Sequence, residues 1–198
     1  MLMKKIFKFL LIFIILYGCQ NSEEITHSYV GGEIINPINR KLTIFRSNKI
    51  IDSLELDNNN RFLTKIKSTE SGFYGFYHGS EYQLILLEPN DSITLRVNTL
   101  DFDESLSFSG IGSKKNNYLI NLFTKYENSR RMRGSNLYRL NPTEFKNKID
   151  SIRLNEVRLL KKFTSSNPNS QLFKKVAMNT INYIFNSKKE AYRFIEMN

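Results

Sequence analysis

The spacing of apolar residues changes near Gly110, and this change constrains the fold more than any other feature of the chain. From residue 25 to residue 110, short runs of β-branched and aromatic residues alternate with polar ones, and turn formers interrupt them about every eight to twelve positions. After residue 112, apolar residues recur with the period of an α-helix. The first part of the chain therefore predicts strands, and the second part predicts helices.

The first part predicts eight antiparallel strands at the spacing of a β-sandwich. Clusters of Asn and Asp, such as residues 57–60, separate the strands, because both residues tolerate left-handed dihedrals and bond their own backbone. The predicted strands cover residues 26–35, 41–46, 50–56, 62–66, 73–77, 82–87, 92–97 and 106–108.

The second part predicts three to four helices. Asn141 is placed to cap a helix whose first position is Pro142, where the missing N–H group costs nothing. Residues 128–140, which precede this helix, are rich in arginine and predict a mobile basic loop. A further helix follows the break at residues 167–170, and residues 188–196 predict a short last one.

These patterns predict an α+β fold, in which an antiparallel β-sandwich at residues 25–112 precedes a helical region at residues 113–198. We expect the two parts to dock through apolar side chains. Each well-buried one contributes about 1.5 to 3 kcal/mol, whereas an exposed ion pair contributes under ~1 kcal/mol. The predicted docking stripe consists of Leu122, Phe123, Ile181 and Ile184.

Residues 1–18 have the order of a bacterial lipoprotein signal peptide. Three lysines precede an unbroken apolar run at residues 9–17, and Gly18 stands directly before Cys19, the one cysteine of the chain. This junction resembles a lipobox, in which the cysteine thiol receives a lipid, the preceding peptide is removed and the new amino terminus is acylated, for example with palmitate. The apolar run is about half of the ~20 residues that a membrane-spanning helix needs. A lipid anchor on Cys19 is therefore expected rather than a transmembrane anchor.

An acidic pair follows the expected lipid site. Residues 19–24 are polar and predict a flexible leash between the membrane and the folded part of the chain. Within it, Glu23 and Glu24 resemble the export tag that directs lipoproteins of Bacteroidota to the outer leaflet. The expected location is the cell envelope, on the periplasmic or the surface face of the outer membrane.

The cysteine and histidine content argues against a catalytic or metal site. With Cys19 carrying lipid, the chain has no thiol left for disulfide or thiolate chemistry. His27 and His78 are far apart in sequence, and neither has a second imidazole or thiol at ligand spacing. We therefore predict no metal ion, no cofactor and no enzymatic activity, and we place both histidines on the surface.

Two short motifs resemble catalytic or ligand-binding loops without meeting their requirements. The run from Gly110 to Lys114 lacks the four residues that a Walker loop places between Gly and Gly-Lys, so it predicts a structural glycine turn. Asp101, Asp103 and Glu104 are not followed by the glycine turn or the bidentate Glu of a calcium loop, so they predict a solvated loop.

Charge is divided unevenly along the chain. Residues 20–112 hold 8 basic and 13 acidic side chains, whereas residues 113–198 hold 18 basic and 6 acidic ones. Such asymmetry often indicates an anionic partner, but an exported lipoprotein meets little nucleic acid, and no nucleic-acid partner is expected. The basic part is interpreted as a solvated, lysine-rich face, with contact to lipid head groups or to the acidic part as the alternatives.

Four aromatic residues form the one candidate ligand platform. Phe73, Tyr74, Phe76 and Tyr77 lie together in a predicted strand and could stack against a ligand such as a sugar ring. Cross-strand packing of the same rings is the alternative interpretation.

Two stretches, residues 86–95 and residues 108–119, carry a resemblance to a known architecture. The first reads Leu-Leu-Glu-Pro-Asn-Asp-Ser-Ile-Thr-Leu, and the second reads Phe-Ser-Gly-Ile-Gly-Ser-Lys-Lys-Asn-Asn-Tyr-Leu. Together they resemble the N-terminal β-rich domain and helical connector of the thioredoxin-like thiol-disulfide lipoproteins of Bacteroidota, relatives of the TlpA and ResA proteins. Asn90 stands where that family usually has glycine, and both residues accept turn dihedrals. The resemblance covers roughly residues 29–190.

The resemblance implies a relative that lacks the redox domain. In that family a C-terminal thioredoxin domain carries a Cys-x-x-Cys motif, and this sequence has no cysteine after Cys19. The leading hypothesis is a lipid-anchored, non-catalytic binding or scaffolding module, whose partners are membrane lipid and an envelope protein. The alternatives are a truncated part of a thiol-disulfide oxidoreductase and a surface lipoprotein that binds carbohydrate or peptide.

Overall fold

The structure, a computed structural model, describes residues 27–67, 69–131, 136–167 and 169–196. The predictions for the leader, for Cys19 and for Glu23 and Glu24 lie outside the described residues. The fold is α+β, as predicted, with strands first and long helices after them. The strands are β1 His27–Ile35, β2 Lys41–Arg46, β3 Lys49–Glu55, β4 Arg61–Lys67, β5 Gly72–His78, β6 Glu81–Leu87, β7 Ser92–Asn98 and β8 Ser107–Ile111.

All eight predicted strands are present, and most of their bounds agree to about one residue. They form two four-stranded sheets that face each other. The first sheet has the order β4-β1-β7-β8, and the second sheet has the order β3-β2-β5-β6. Alternate residues of both sheets, among them Ile34, Ile44, Phe76 and Leu95, point inward and form the sandwich core.

One strand pair contradicts the antiparallel prediction. In the centre of the first sheet, β1 and β7 run parallel, with Tyr29 paired to Ser92 and Ile35 paired to Asn98. Both strands start at the same end of the sandwich, because the strands between them return the chain to that end. The direction of this pair depends on a distant crossover, which hydrophobic alternation within a strand does not report.

The helices are α1 Phe102–Ser105, α2 Ser113–Arg131, α3 Pro142–Ser166 and α4 Gln171–Glu196. The predicted cap of α3 is confirmed, because the Asn141 side chain accepts a hydrogen bond from the Glu144 N–H group at 3.0 Å. No helix within the described ranges has an apolar stretch long enough to cross a bilayer.

Two helix predictions are corrected. Residues 188–196 do not form a separate helix but continue α4, where Tyr192 stacks on Phe145 at 3.8 Å and donates a hydrogen bond to the Leu140 carbonyl at 2.7 Å. The predicted loop at residues 128–140 is also shorter, because α2 continues to Arg131 and a 3₁₀ turn covers Asn136–Arg139. Residues 132–135 lie outside the described residues.

Where the sandwich and the helices meet, each contributes a side chain to the core of the other. Ile120 of α2 belongs to the sandwich core, whereas Leu86 of β6 belongs to the core between the helices. Of the predicted docking stripe, Leu122 and Ile181 are buried and Ile184 is half-buried among the helices. Phe123 is 43% exposed, because it lies at the rim of a groove beside β6.

Candidate binding groove

The predicted aromatic platform is divided between the two faces of β5. Phe73 and Tyr77 are 42% and 45% exposed, whereas Tyr74 and Phe76 are buried in the sandwich core. Successive side chains of a strand point to opposite faces, so no four neighbouring rings of one strand can form a single surface. The four-residue platform is therefore wrong as predicted, and only Phe73 and Tyr77 remain as candidate ligand contacts.

Rings from neighbouring strands complete the exposed face. Tyr77 stacks on Phe45 of β2 at 4.5 Å between ring centroids, and it meets Tyr82 of β6 at 5.7 Å. The Phe45 ring covers Gly75, where an added Cβ atom would overlap the ring. Phe45 and Tyr82 were not among the predicted residues, because their approach to β5 depends on strand pairing that one strand's sequence does not specify.

A groove of about 490 Å³ runs beside this face, between the edge of β6 and the helices α2 and α4. Its apolar wall is made by exposed or half-exposed side chains from both sides of the groove. These are Phe73, Tyr82, Leu84, Leu119 and Phe123. Polar groups lie among them, including those of Glu81, Gln83, Asp103 and Thr180.

The floor of the groove includes a sheet edge. Strand β6 is the last strand of the second sheet, and within the described residues no strand pairs with its outer side. The Leu86 N–H and C=O groups point to that side, where Asn116 binds both. Because backbone groups alternate along a strand, those of Tyr82 and Leu84 point to the same side. The Leu84 N–H group donates to the neighbouring Gln83 side chain at 2.8 Å.

The two stretches that carry the family resemblance are in direct contact. Lys115, at the start of α2, donates to Glu88 at 2.7 Å and to Asp91 at 2.6 Å, and all three side chains are largely buried. Burial raises the pKa of the Asp91 carboxyl above its ordinary value, although the hydrogen bond from Lys115 lowers it. Gly112, which has a φ of +90°, packs on the Asp91 carboxylate, so its glycine turn is structural.

A second buried carboxylate lies between α2 and α3. Glu156 accepts hydrogen bonds from Lys125 at 2.5 Å and from the Tyr126 hydroxyl at 2.7 Å, beside a cavity of about 360 Å³. Burial raises the pKa of Tyr126, and the hydrogen bond to Glu156 raises it further. Burial and the charge of Glu156 raise the pKa of Tyr118 to about 12. Both phenols therefore keep their protons at neutral pH, and Tyr126 serves as a hydrogen-bond donor.

His78 is fully buried, so its predicted surface position is wrong. Its Nε2 atom accepts from the Ile38 N–H group at 3.0 Å, which leaves Nδ1 to donate to the Lys41 carbonyl at 3.0 Å. The ring thus joins β5 to the turn before β2 and to the first residue of β2. His27 is half-buried, and within the described ranges no three His, Cys, Asp or Glu residues are grouped to hold a metal ion.

Neither a scan of the chain against protein-family models nor a search of the curated proteins gives a match. The resemblance to the thioredoxin-like lipoproteins therefore remains a sequence-based expectation, and the groove is interpreted from its own geometry.

Proposed function

We propose that this chain is a lipid-anchored, non-catalytic binding module of the bacterial cell envelope. The order of basic residues, a short apolar run and Gly18-Cys19 supports the anchor. The groove beside β6 supports a binding role, because it combines exposed aromatic side chains with a sheet edge. The proposed ligand is an extended peptide segment of another envelope protein.

The unpaired outer side of β6 is the observation that favours a peptide as the ligand. An extended peptide can add to a sheet edge, where main-chain hydrogen bonds provide affinity and side-chain pockets provide selectivity. Here the backbone groups of Tyr82 and Leu84 would pair with the peptide, and Phe73 and Phe123 would contact its apolar side chains. Asn116 closes the edge at Leu86, which sets one end of the pairing.

A selection of linear peptides displayed on phage tests the proposal. The chain from Cys19 onward is immobilised through its one thiol, and enriched peptides are then measured against Leu84→Pro. Proline at this position removes the outward-pointing N–H group, which donates to the Gln83 side chain, so the β5–β6 ladder stays intact while the edge is blocked. We expect at least a tenfold loss of peptide affinity, about 1.4 kcal/mol.

Two alanine variants separate the groove from the stacked rings. Phe123→Ala removes a groove wall, whereas Tyr77→Ala removes an equally exposed ring outside the groove. The proposal predicts loss of peptide binding in the first variant and retention in the second. Binding of glycans but not peptides, lost in Tyr77→Ala alone, would contradict the peptide proposal and support a sugar on the stacked rings. Equal melting temperatures of the variants serve as the folding control.

A further inference from the structure

The chain enters the sandwich at one defined end. His27, the first residue of β1, accepts a hydrogen bond through its carbonyl from the Asn90 N–H group at 3.1 Å and pairs with Lys67 at the end of β4. The turns after β2, β4 and β6 lie at this same end, since neighbouring strands alternate in direction. We call this the entry end.

The helices bring a second set of termini to the entry end. Lys114 at the start of α2 donates to Asn167 at the end of α3, at 2.9 Å. Tyr118 of α2 contacts Phe163 of α3 and Phe173 of α4, with ring centroids 4.8 and 5.7 Å apart. The start of α2, the end of α3 and the start of α4 therefore meet beside the turn that contains Asp91, which lies next to His27.

Exposed lysines accumulate at this end. Residues 157–189, which include the end of α3 and the start of α4, contain no Asp or Glu. The acidic residues of the entry end are paired, Glu70 with Arg46 and Glu88 and Asp91 with Lys115. The exposed lysines here are Lys49, Lys67, Lys114, Lys161, Lys162 and Lys175.

The opposite end of the sandwich holds more acidic than basic residues. Its acidic residues are Glu33, Glu55, Asp57, Glu81, Asp101, Asp103 and Glu104, and its basic residues are Arg40, Lys41, Arg61 and Arg96. The charge separation that the sequence places between two halves is therefore also a separation along the length of the sandwich, with positive charge at the end where the chain enters.

The distance to the expected anchor makes this end the one nearest the membrane. Cys19 and His27 are eight residues apart, and a fully extended chain of that length spans at most about 28 Å. The phosphate groups of an anionic leaflet attract lysines that come within about 10 Å, the screening distance at moderate salt.

We propose that the lysine-rich entry end docks on anionic phospholipid head groups and holds the sandwich upright on the membrane. This inference rests on the proposed lipid anchor at Cys19 for its setting. The docked orientation turns the end of the groove at Ser80 and Glu81 away from the bilayer, toward a partner protein. Each docked lysine is expected to raise membrane affinity about fivefold.

The test measures vesicle binding without the anchor. The chain from residue 19 onward, with Cys19→Ser, is sedimented with vesicles of phosphatidylcholine and with vesicles of equal parts phosphatidylcholine and phosphatidylglycerol. The entry-end variant combines Lys67→Gln, Lys161→Gln and Lys175→Gln. The matched control combines Lys41→Gln, Lys146→Gln and Lys148→Gln, which are also exposed, remove the same charge and lie at the opposite end.

We expect binding to the anionic vesicles alone, a loss of about a hundredfold in the entry-end variant and a smaller loss in the control. Equal losses in the two triple variants, or equal binding to both vesicle types, would overturn the orientation. Palmitate labelling of Cys19 in cells tests the anchor separately. Failure of labelling would contradict the proposed anchor. The vesicle experiment would still show whether the lysine-rich entry end binds anionic lipid.

A second experiment, in which the protein is coupled to the vesicle, measures its orientation directly. Cys19 is coupled to a maleimide lipid in anionic vesicles, and lysine acetylation is followed by mass spectrometry. Lys67, Lys161 and Lys175 should be protected relative to Lys146 and Lys148. Uniform labelling of both groups would contradict the docked orientation even if the lipid coupling succeeds.

Discussion

Asn116 and Asn117 are adjacent in sequence, yet their side chains bind the edges of different sheets. Asn116 accepts from the Leu86 N–H group at 2.8 Å and donates to the Leu86 carbonyl at 3.0 Å. Asn117 does the same with Phe108 of β8, at 2.9 and 2.8 Å. Each side-chain amide thus makes the pair of hydrogen bonds that a residue of a further strand would make. Together they attach α2 to both sheets of the sandwich.

Asn116→Leu should destabilise the protein by about 2 kcal/mol or more, because it leaves a buried N–H group and a buried carbonyl of Leu86 without partners. Urea unfolding followed by circular dichroism measures the change. Asn147→Leu, at an exposed position of α3, is the control and should change the unfolding free energy little. Equal effects of the two variants would contradict the role assigned to Asn116.

Lys115→Met should cost about 3 to 5 kcal/mol of unfolding free energy, because it leaves Glu88 and Asp91 buried without a cation. Adding Glu88→Gln and Asp91→Asn to this variant should restore part of the loss, since neutral amides are cheaper to bury than charges. A triple variant that is no more stable than Lys115→Met would show that packing, and not charge, determines the stability of this contact.

The raised pKa of Asp91 predicts how stability depends on pH. A carboxyl whose pKa is higher in the folded protein holds its proton there after the unfolded chain has lost it. The contribution of Asp91 to the unfolding free energy is therefore complete at pH values below its ordinary pKa of 3.8. This contribution declines as the pH rises through the folded pKa. The unfolding free energy of the natural chain minus that of Asp91→Asn should fall over this range and then level off. A rise with pH would mean that attraction to Lys115 outweighs burial.

Gly75→Ala should destabilise the second sheet by about 1 to 3 kcal/mol, because its methyl group would overlap the Phe45 ring. The double variant Gly75→Ala with Phe45→Ala should be more stable than the sum of the two single changes predicts, which a double-mutant cycle measures. Additive effects would show that the ring does not lie over Gly75 in solution.

Tyr118 and Tyr126 form a matched pair for hydroxyl removal. The Tyr126 hydroxyl donates to buried Glu156, so Tyr126→Phe should cost about 1.5 to 3 kcal/mol. The Tyr118 hydroxyl is buried without a hydrogen-bond partner among the described residues, so Tyr118→Phe should be neutral or slightly stabilising. Thermal unfolding should therefore place the melting temperature of Tyr126→Phe below that of the natural chain, and that of Tyr118→Phe level with it or slightly above it.

Local chemistry in the sequence was sufficient to place the strands and the capped helix. Alternation of apolar residues predicts the inward side chains of a strand wherever one face is buried, and Asn-Asp clusters mark the turns. Asn141 and Pro142 determine the start of α3 in the same way, because a cap acts within one helical turn. The same alternation, applied to β5, separates Phe73 and Tyr77 from Tyr74 and Phe76.

Only the tertiary structure decided which distant residues meet. The parallel direction of β1 and β7, the burial of His78 and the contact of Phe45 with Tyr77 depend on strand order, which involves residues far apart in the chain. The groove beside β6 exists because α2 continues past the sheet edge after Asn116 closes it. The sequence by itself determined the charge difference between the two halves. The fold turned it into a lysine-rich entry end, because helix packing brings the acid-free segments of α3 and α4 to the start of α2, beside the turn that contains Asp91.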